Sequence, residues 1–351
     1  MKILHVIFSF APDGAETMLV DIINLQARTE EVDLMIVNNI YNKELLSTIE
    51  KNVSIHLINR KEGSFDIFRI LNLNYRLFKI KPDIIHFHNH NGIRVILFKA
   101  IFKTCLTLHS VNKPLKYLTK YDKLFSISDA VERDIYRRGT LKSTVVYNGI
   151  DFSKIKVKDK YAYESKFNIV VISRLIHEVK GQHILLQALN VLIFENGLNN
   201  VSIDFIGEGP SLHYLEELTS RLGLKDCVRF LGLKDRKYIY DNLSNYHLLV
   251  QPSIYEGFGL TVVEGIAAKI PVLVSTSDGP LEIIGNGKYG FKFENGDAAS
   301  CAEAIKLIIS QVGNEDFHLT LIKACSYARD KFSIQTTAKD YLIQYNNLAL
   351  K

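Results

Sequence analysis

The segment Gln251–Glu264, QPSIYEGFGLTVVE, sets two carboxylates, Glu256 and Glu264, on either side of a glycine loop. A strand ending at Val250 leads through Pro252–Ser253 to Glu256, then to Gly257, Phe258 and Gly259, with a helix expected to begin near Leu260. Glycines at such a turn let the backbone approach a ligand, and the N–H groups of a helix start attract phosphate. Glu264, one turn into that helix, could point back toward the same ligand. The competing reading is an exposed glutamate pair at an ordinary turn; the glycines between them favour a site. A second group, SRLIHEVKG (Ser173–Gly181), follows another strand directly. Arg174 at the strand's carboxyl end and Lys180 at the start of the next helix would bracket an anion, the fork and the point charge suiting a diphosphate. Either cation alone reads as loop solvation; their joint position carries the argument.

Other groups are weaker. FIGEGP (Phe205–Pro210) offers G-x-G, but Leu212 stands where a dinucleotide fingerprint needs a third glycine. That argues against a nicotinamide cofactor while leaving Gly207 free for close backbone approach. In DGAE (Asp13–Glu16), Gly14 could do the same after the first strand. The run HFHNH alternates His86, His88 and His90, which would share a face in a strand, but the run sits at a strand's end without an acidic partner. No metal is expected there. His109 follows the strand Cys105–Leu108, where a histidine can bond a hydroxyl or stabilise developing charge; a structural role is the alternative.

The elements holding these residues alternate regularly. Strands are expected at Lys2–Phe8, Val32–Val37, Ser54–Leu57, Ile84–Phe87, Cys105–Leu108, Lys123–Ile127 and Thr144–Val146, with helices such as Thr17–Ala27 and Ser64–Phe78 between. The pattern restarts at Asn168–Ile172, Val201–Ile206, Val228–Leu231, His247–Val250 and Pro271–Ser275. Helices are expected there at Gly181–Glu195, Ser211–Leu222, Arg236–Leu243, Leu260–Ala268 and Ala298–Ser310. Continuous β-branched strands separated by helices imply parallel sheets covered on both faces, and two such series imply two doubly wound α/β domains. The first is expected over 1–150 and the second over 167–332, with a Lys-rich linker at 151–166 and a last helix at Ser333–Asn347.

Length supports two domains, since 351 residues exceed what one core usually serves. A composition of 47% hydrophobic and 23% charged residues excludes a disordered chain. Cys105, Cys227, Cys301 and Cys325 are scattered without a C-x-x-C pair, as reduced buried thiols of a cytoplasmic protein would be. The N-terminus reads as a buried strand, not a leader, and no apolar run reaches the roughly 20 residues that span a bilayer. Charge is uneven: residues 1–160 carry 25 Lys and Arg against 17 Asp and Glu, and residues 161–351 carry 18 against 21. Within 60–123 the balance is 13 against 4, so the first half is suited to an anionic surface. The stretch FRILNLNYRLFKIK (Phe68–Lys81) mixes aromatics, aliphatics and cations at helical spacing, as interfacial helices do. The aromatics of the basic half look buried, not arrayed for stacking on bases, and nucleic acid is not an expected partner.

Taken in order, DGAE, DIIHFHNH, LHS, VVYNGID, ISRLIHEVKG, FIGEGP with LGLKDCVRFLG, and QPSIYEGFGLTVVEGIAAKIPV resemble the GT-B family-4 glycosyltransferases over essentially the whole chain. The resemblance implies two Rossmann-like domains facing across a cleft, with the last helix packing back on the first. It assigns Arg174 and Lys180 to the donor diphosphate, Glu264 to the ribose hydroxyls, and Glu256 to the transferred sugar. Gly257, Phe258, Gly259 and Leu260 form the loop whose amides meet the donor. His109 is the first-domain histidine beside the sugar, Gly14 belongs to the first-domain glycine loop, and the base sits against Gly207 and the Gly232–Leu233 turn. Asp13, Ser110, Gly265 and Lys269 depart from the family's usual glycine, acidic residue, alanine and glycine.

The implied activity is metal-independent, retaining transfer of a hexose-type sugar from a UDP- or GDP-linked donor, which serves as co-substrate with no further cofactor. The expected acceptor is a glycan or lipid-linked sugar in cell-envelope polysaccharide synthesis, with the enzyme peripheral on the inner face of the membrane. A nucleotide-sugar epimerase of the same fold, or a non-catalytic sugar-nucleotide-binding subunit, is the rival reading.

Overall fold

The computed structural model describes residues 1–161 and 166–350. The chain divides into two compact units: Met1–Gly149 with Ile334–Lys351, and the continuous Ile150–Ser333.

The first unit is built on a seven-stranded sheet, ordered β3-β2-β1-β4-β5-β6-β7. Its strands are β1 (Lys2–Ile7), β2 (Glu31–Asn38), β3 (Ser54–Arg60), β4 (Ile84–Phe87), β5 (Lys103–Leu108), β6 (Lys123–Ser126) and β7 (Thr144–Val145). Every pairing is parallel. The order reverses between β1 and β4, where His5 lies beside His86 in register. Parallel strands need crossovers, so both faces are covered and β1 is buried along nearly its whole length, which suits the apolar residues of KILHVI and buries His5 among them. The last helix, Ile334–Ala349, packs against the first, Gly14–Gln26, and buries Tyr341 and Tyr345 in this unit.

The second unit repeats the plan on six parallel strands, ordered β10-β9-β8-β11-β12-β13. They are β8 (Phe167–Ile172), β9 (Val201–Ile206), β10 (Val228–Phe230), β11 (Leu248–Gln251), β12 (Val272–Ser275) and β13 (Phe291–Phe293). The reversal falls between β8 and β11. Strand β13 and the 18-residue helix Glu315–Phe332 are additions to the sequence-based expectation. The expected Gly181–Glu195 helix is divided: α-helix over Gln182–Asn190, then a π turn over Val191–Glu195.

The described residues of the expected linker 151–166 do not run free. Phe152 and Ile155 are buried, and the Lys158 ammonium donates to the Ser244 carbonyl at 3.0 Å. Residues 162–165 of that stretch lie outside the described residues. Of the four cysteines, Cys227 is only half-buried; the other three are buried thiols. Two departures from the family pattern have physical consequences. A side chain on Gly265 would place its Cβ 2.8 Å from Val272 and 3.3 Å from Leu249, so glycine allows this helix its approach to the sheet. Lys269 sits at φ +56°, the left-handed position after the helix where glycine is unstrained.

Candidate functional site

Three βα loops of the second unit interlock at the carboxyl end of its sheet. After β8, Ser173 and Arg174 lead into a single helical turn, His177–Lys180, so Lys180 ends a turn instead of beginning the next helix. Gln182, fully buried, ties this loop down by donating to both Ser173 Oγ and the Arg174 carbonyl at 2.9 Å. After β9, Gly207 adopts φ +136°, and a Cβ on it would lie 2.1 Å from the Ser173 carbonyl oxygen. The Gly207 amide donates to the Gly232 carbonyl at 2.9 Å, which joins the turn after β10 to the other two. Gly207 therefore serves close contact between loops, and Leu233 beside Gly232 is 65% exposed.

The loop after β11 closes on the loop after β8. Gly181, at φ +67°, has no room for a side chain: a Cβ would meet the Pro252 carbonyl at 1.9 Å. The Val179 carbonyl accepts from the amides of Ile254 and Tyr255. These contacts carry Lys180 to Glu256, whose carboxylate receives the ammonium at 2.5 Å and the Gln251 amide at 2.9 Å. Gln251 in turn accepts from Thr261 at 3.3 Å, linking the strand end to the helix Leu260–Ala267. That helix starts from Gly259 at φ +113° with no side-chain cap, and Gly279 packs against the backbone of Gly257 and Phe258. Phe258 is buried with its ring edge-on to Phe332, so any share it takes in the site is through its backbone.

Arg174 is exposed on the same loop as Lys180 and makes no side-chain hydrogen bond or ion pair among the described residues. Glu264 has different company from Glu256. It is half-buried beside Arg236 and Tyr240, and burial pushes its carboxyl up to about 7, against the Arg236 charge and a Tyr240 hydrogen bond. The two glutamates flanking the glycine loop are thus engaged by different partners.

The first unit holds a different constellation. His86 and His88 meet His5, not His90, because β4 ends at Phe87 and the chain turns away. Ring nitrogens of His5, His86 and His88 lie within 4.8 Å of one another. A cation could be held at that distance, but both His86 nitrogens are engaged by hydroxyls, Tyr345 at 2.6 Å and Thr107 at 2.7 Å. His5 bonds Gln26 at 2.8 Å and His88 at 3.1 Å; His88 continues to His109 at 3.4 Å. Burial depresses the whole group, His5 and His109 to about 4 and the other two well below their usual value. All four are therefore neutral near pH 7. Gly14 is exposed at the first position of its helix and is not among the residues with positive φ, so its conformational freedom is unused.

Sequence reasoning missed Gln26, Gln182, Gln251, Arg236, Tyr240, His5 and Tyr345. Arg236 and Tyr240 alone left a signal, four residues apart on one helix face.

Comparison with known proteins agrees with this architecture. Residues 12–154 match the model of Glycosyltransferase Family 4, and residues 153–318 match Glycosyl transferases group 1. An uncharacterized glycosyltransferase of Methanocaldococcus jannaschii is 26% identical over 249 residues, which span 66% of this chain and 62% of that protein. The phosphatidylinositol N-acetylglucosaminyltransferase gpi3 subunit of Schizosaccharomyces pombe is 23% identical over 85% of this chain and 70% of its own length. Among solved structures, Anabaena HepE in complex with UDP and glucose superposes with a TM-score of 0.79 at 21% identity, covering 99% of this chain and all of that one. With both family models matched in tandem on two Rossmann-like units, the chain belongs to the GT-B, family-4 type glycosyltransferases.

Proposed function

We propose that the protein transfers a hexose-type sugar, with retention of configuration and without a metal, from a UDP- or GDP-linked donor to a glycan or lipid-linked acceptor. The observation that carries this reading is the Lys180–Glu256 pair, fixed at the switch point of the second sheet, with exposed Arg174 on the same loop as Lys180. Ligands of doubly wound sheets bind at such points. The bond from the anomeric carbon to the diphosphate oxygen breaks while the acceptor oxygen bonds the same carbon, and the acceptor's proton passes to a diphosphate oxygen. Charge grows on the leaving oxygens, where Arg174, Lys180 and the amides at the Leu260 helix start would stabilise it. Glu256 keeps Lys180 neutralised until phosphate competes for it, then faces the sugar. Glu264 accepts from the ribose hydroxyls, and exposed Leu233 with Gly207 supports the base. His109 and Gly14 serve the sugar and acceptor side.

Arg174→Ala tests the donor assignment. Transfer should fall by about two to three orders of magnitude, as for loss of a transition-state donor, with an unchanged melting temperature. Normal turnover would refute it. A panel of UDP-, GDP- and ADP-sugars, scored by thermal shift and by turnover with and without acceptor, identifies the donor. Acceptor-independent conversion of the sugar would favour an epimerase, and binding without turnover a non-catalytic subunit.

The acceptor side is proposed to lie at an anionic membrane surface. The helix Ile67–Ile80 buries Ile70, Leu73 and Leu77, but its aromatics are not buried as the sequence led us to expect: Phe68, Tyr75 and Phe78, with Leu71, form a second apolar row that is 41–80% exposed. Phe78 packs at a tilt against Phe98, itself 52% exposed, and exposed Lys79, lying over the Tyr75 ring, supplies charge beside the row, whereas Lys99 is paired with Asp122 at 2.6 Å. No described helix is long and apolar enough to cross a membrane, so shallow docking is the mode proposed. Sedimentation with vesicles should show recovery on anionic lipid that is lost in a Phe68→Ser, Tyr75→Ser variant. Equal recovery on neutral lipid would overturn the electrostatic part.

A further inference from the structure

The histidines of the first unit form a one-way chain. Gln26 turns its Oε1 to His5 Nε2 at 2.8 Å and leaves its own Nε2 buried without a hydrogen-bond partner; in this orientation of the amide, His5 Nε2 carries the proton. A neutral His5 then leaves Nδ1 as an acceptor, and the atom it meets at 3.1 Å, His88 Nε2, must donate. The same logic passes on: His88 Nδ1 accepts, and His109 Nε2, at 3.4 Å, donates to it. The end of the chain is His109 Nδ1, which is buried and has no hydrogen-bond partner. One amide at the end of the Gly14–Gln26 helix thereby selects the tautomer of three rings in succession.

We infer that Gln26, His5 and His88 are positioning residues that lock His109 into the tautomer whose Nδ1 is a bare acceptor, so that His109 selects a hydroxyl donor on its ligand. An acceptor nitrogen takes a sugar hydroxyl and rejects carbonyl, carboxylate and phosphate oxygens, which have no proton to give. The chain's neutrality supports this, since burial holds His5 and His109 down to about 4 and His88 well below its ordinary value. The charged groups nearest the chain do not reverse it: Lys113, the one cation acting on His109, lowers that ring's affinity for a second proton. The neighbouring His86 belongs to a separate branch, held by Tyr345 and by Thr107, which meets Tyr341 at 2.9 Å.

The assignment of a hydroxyl ligand rests on the proposed sugar transfer; the tautomer does not, and it can be read without turnover. Imidazole nitrogen NMR on the full-length chain with labelled histidine distinguishes protonated from bare ring nitrogens among the 11 histidines, each assigned by single substitution. At pH 7, His5, His88 and His109 should each be protonated at Nε2 and bare at Nδ1. Gln26→Met removes the acceptor and should turn the single His109 form into a mixture of tautomers, whereas Gln26→Glu should keep it single. A merely structural Gln26 would lower the melting temperature of Gln26→Met and leave the His109 signals where they were, which overturns the proposal. A wild-type His109 protonated at Nδ1 overturns it even if Gln26→Met fails to fold. So does a divalent ion retained stoichiometrically by these rings, because it would take the lone pairs the chain uses. If the tautomers are as stated and no sugar is transferred, the relay stands and the sugar-transfer reading falls.

Discussion

Both units reverse their strand order after the first strand, and both gather polar side chains where the order turns, yet the two gatherings have opposite electrical character. Beside β8 and β11 the groups are ionic and reach solvent: Arg174 is exposed, and Lys180 and Glu256 are about one-fifth exposed. Beside β1 and β4 the groups are neutral rings, each nitrogen accounted for by a neighbouring amide, hydroxyl or ring except the last. The same topology has been given one place for countering charge and one for counting hydrogen-bond donors. A charged ligand group is served by the first kind of place. A neutral hydroxyl, whose orientation matters more than its charge, is served by the second.

The sharpest way to break that contrast is Lys180→Ala. With the cation gone, transfer should fall by about two to three orders of magnitude, while the tautomers of the first unit, read by NMR, stay unchanged. A change in both would mean that the sites are not independent. Next in size is acid. His5 has a folded pKa of about 4 against an ordinary 6.5, so its neutral form stabilises the fold above pH 6.5 and that contribution is lost as pH falls through about 4. For His5 alone the loss is about 2 kcal/mol at pH 5, visible as a falling melting temperature; a flat profile from pH 7 to 4 would contradict the neutral cluster. Glu264 shows the reverse sign, being raised to about 7: its contribution to stability is present below 4.5 and declines as pH rises through 7. With Glu264 accepting from the ribose as proposed, its ionised form is the better acceptor, so nucleotide affinity should rise roughly tenfold from pH 6 to pH 8. Calorimetry on Glu264→Gln should find that slope gone. The smallest effect concerns scaffolding: Lys269→Gly relieves a left-handed backbone and should stabilise the second unit by about 1 kcal/mol, without altering turnover.

Much of the fold was legible because parallel strands must be apolar throughout, and Val201–Ile206 and Ile84–Phe87 stand in the sequence with their observed bounds. Strand β13 was not, since three residues at a sheet edge carry no periodicity. The charged site was readable in outline because Arg, Lys, Glu and Gly each announce a chemistry next to a strand end. Its wiring was not: glutamines at 182 and 251 look ordinary until the loops they tie are seen. The spacing of Glu256 and Glu264 suggested a pair, but one lies in the loop and the other in the helix, and each finds its own neighbours. The first-unit network was least visible. His5 sits inside an unbroken strand, and its bond to Gln26 and the contact between His86 and Tyr345 span 21 and 259 residues respectively. No local pattern encodes either.

The first unit is assembled from two stretches of chain, with all of Ile150–Ser333 intervening. During synthesis the second unit can therefore close first, while His86 still lacks the hydroxyl that arrives with Tyr345. Until that residue has emerged, the nascent first sheet carries imidazoles with unmet polar atoms at its centre, a state open to water and to misprotonation. A free chain truncated after Ser333 should accordingly protect the β8–β13 amides from exchange and leave those of β1 and β4 open.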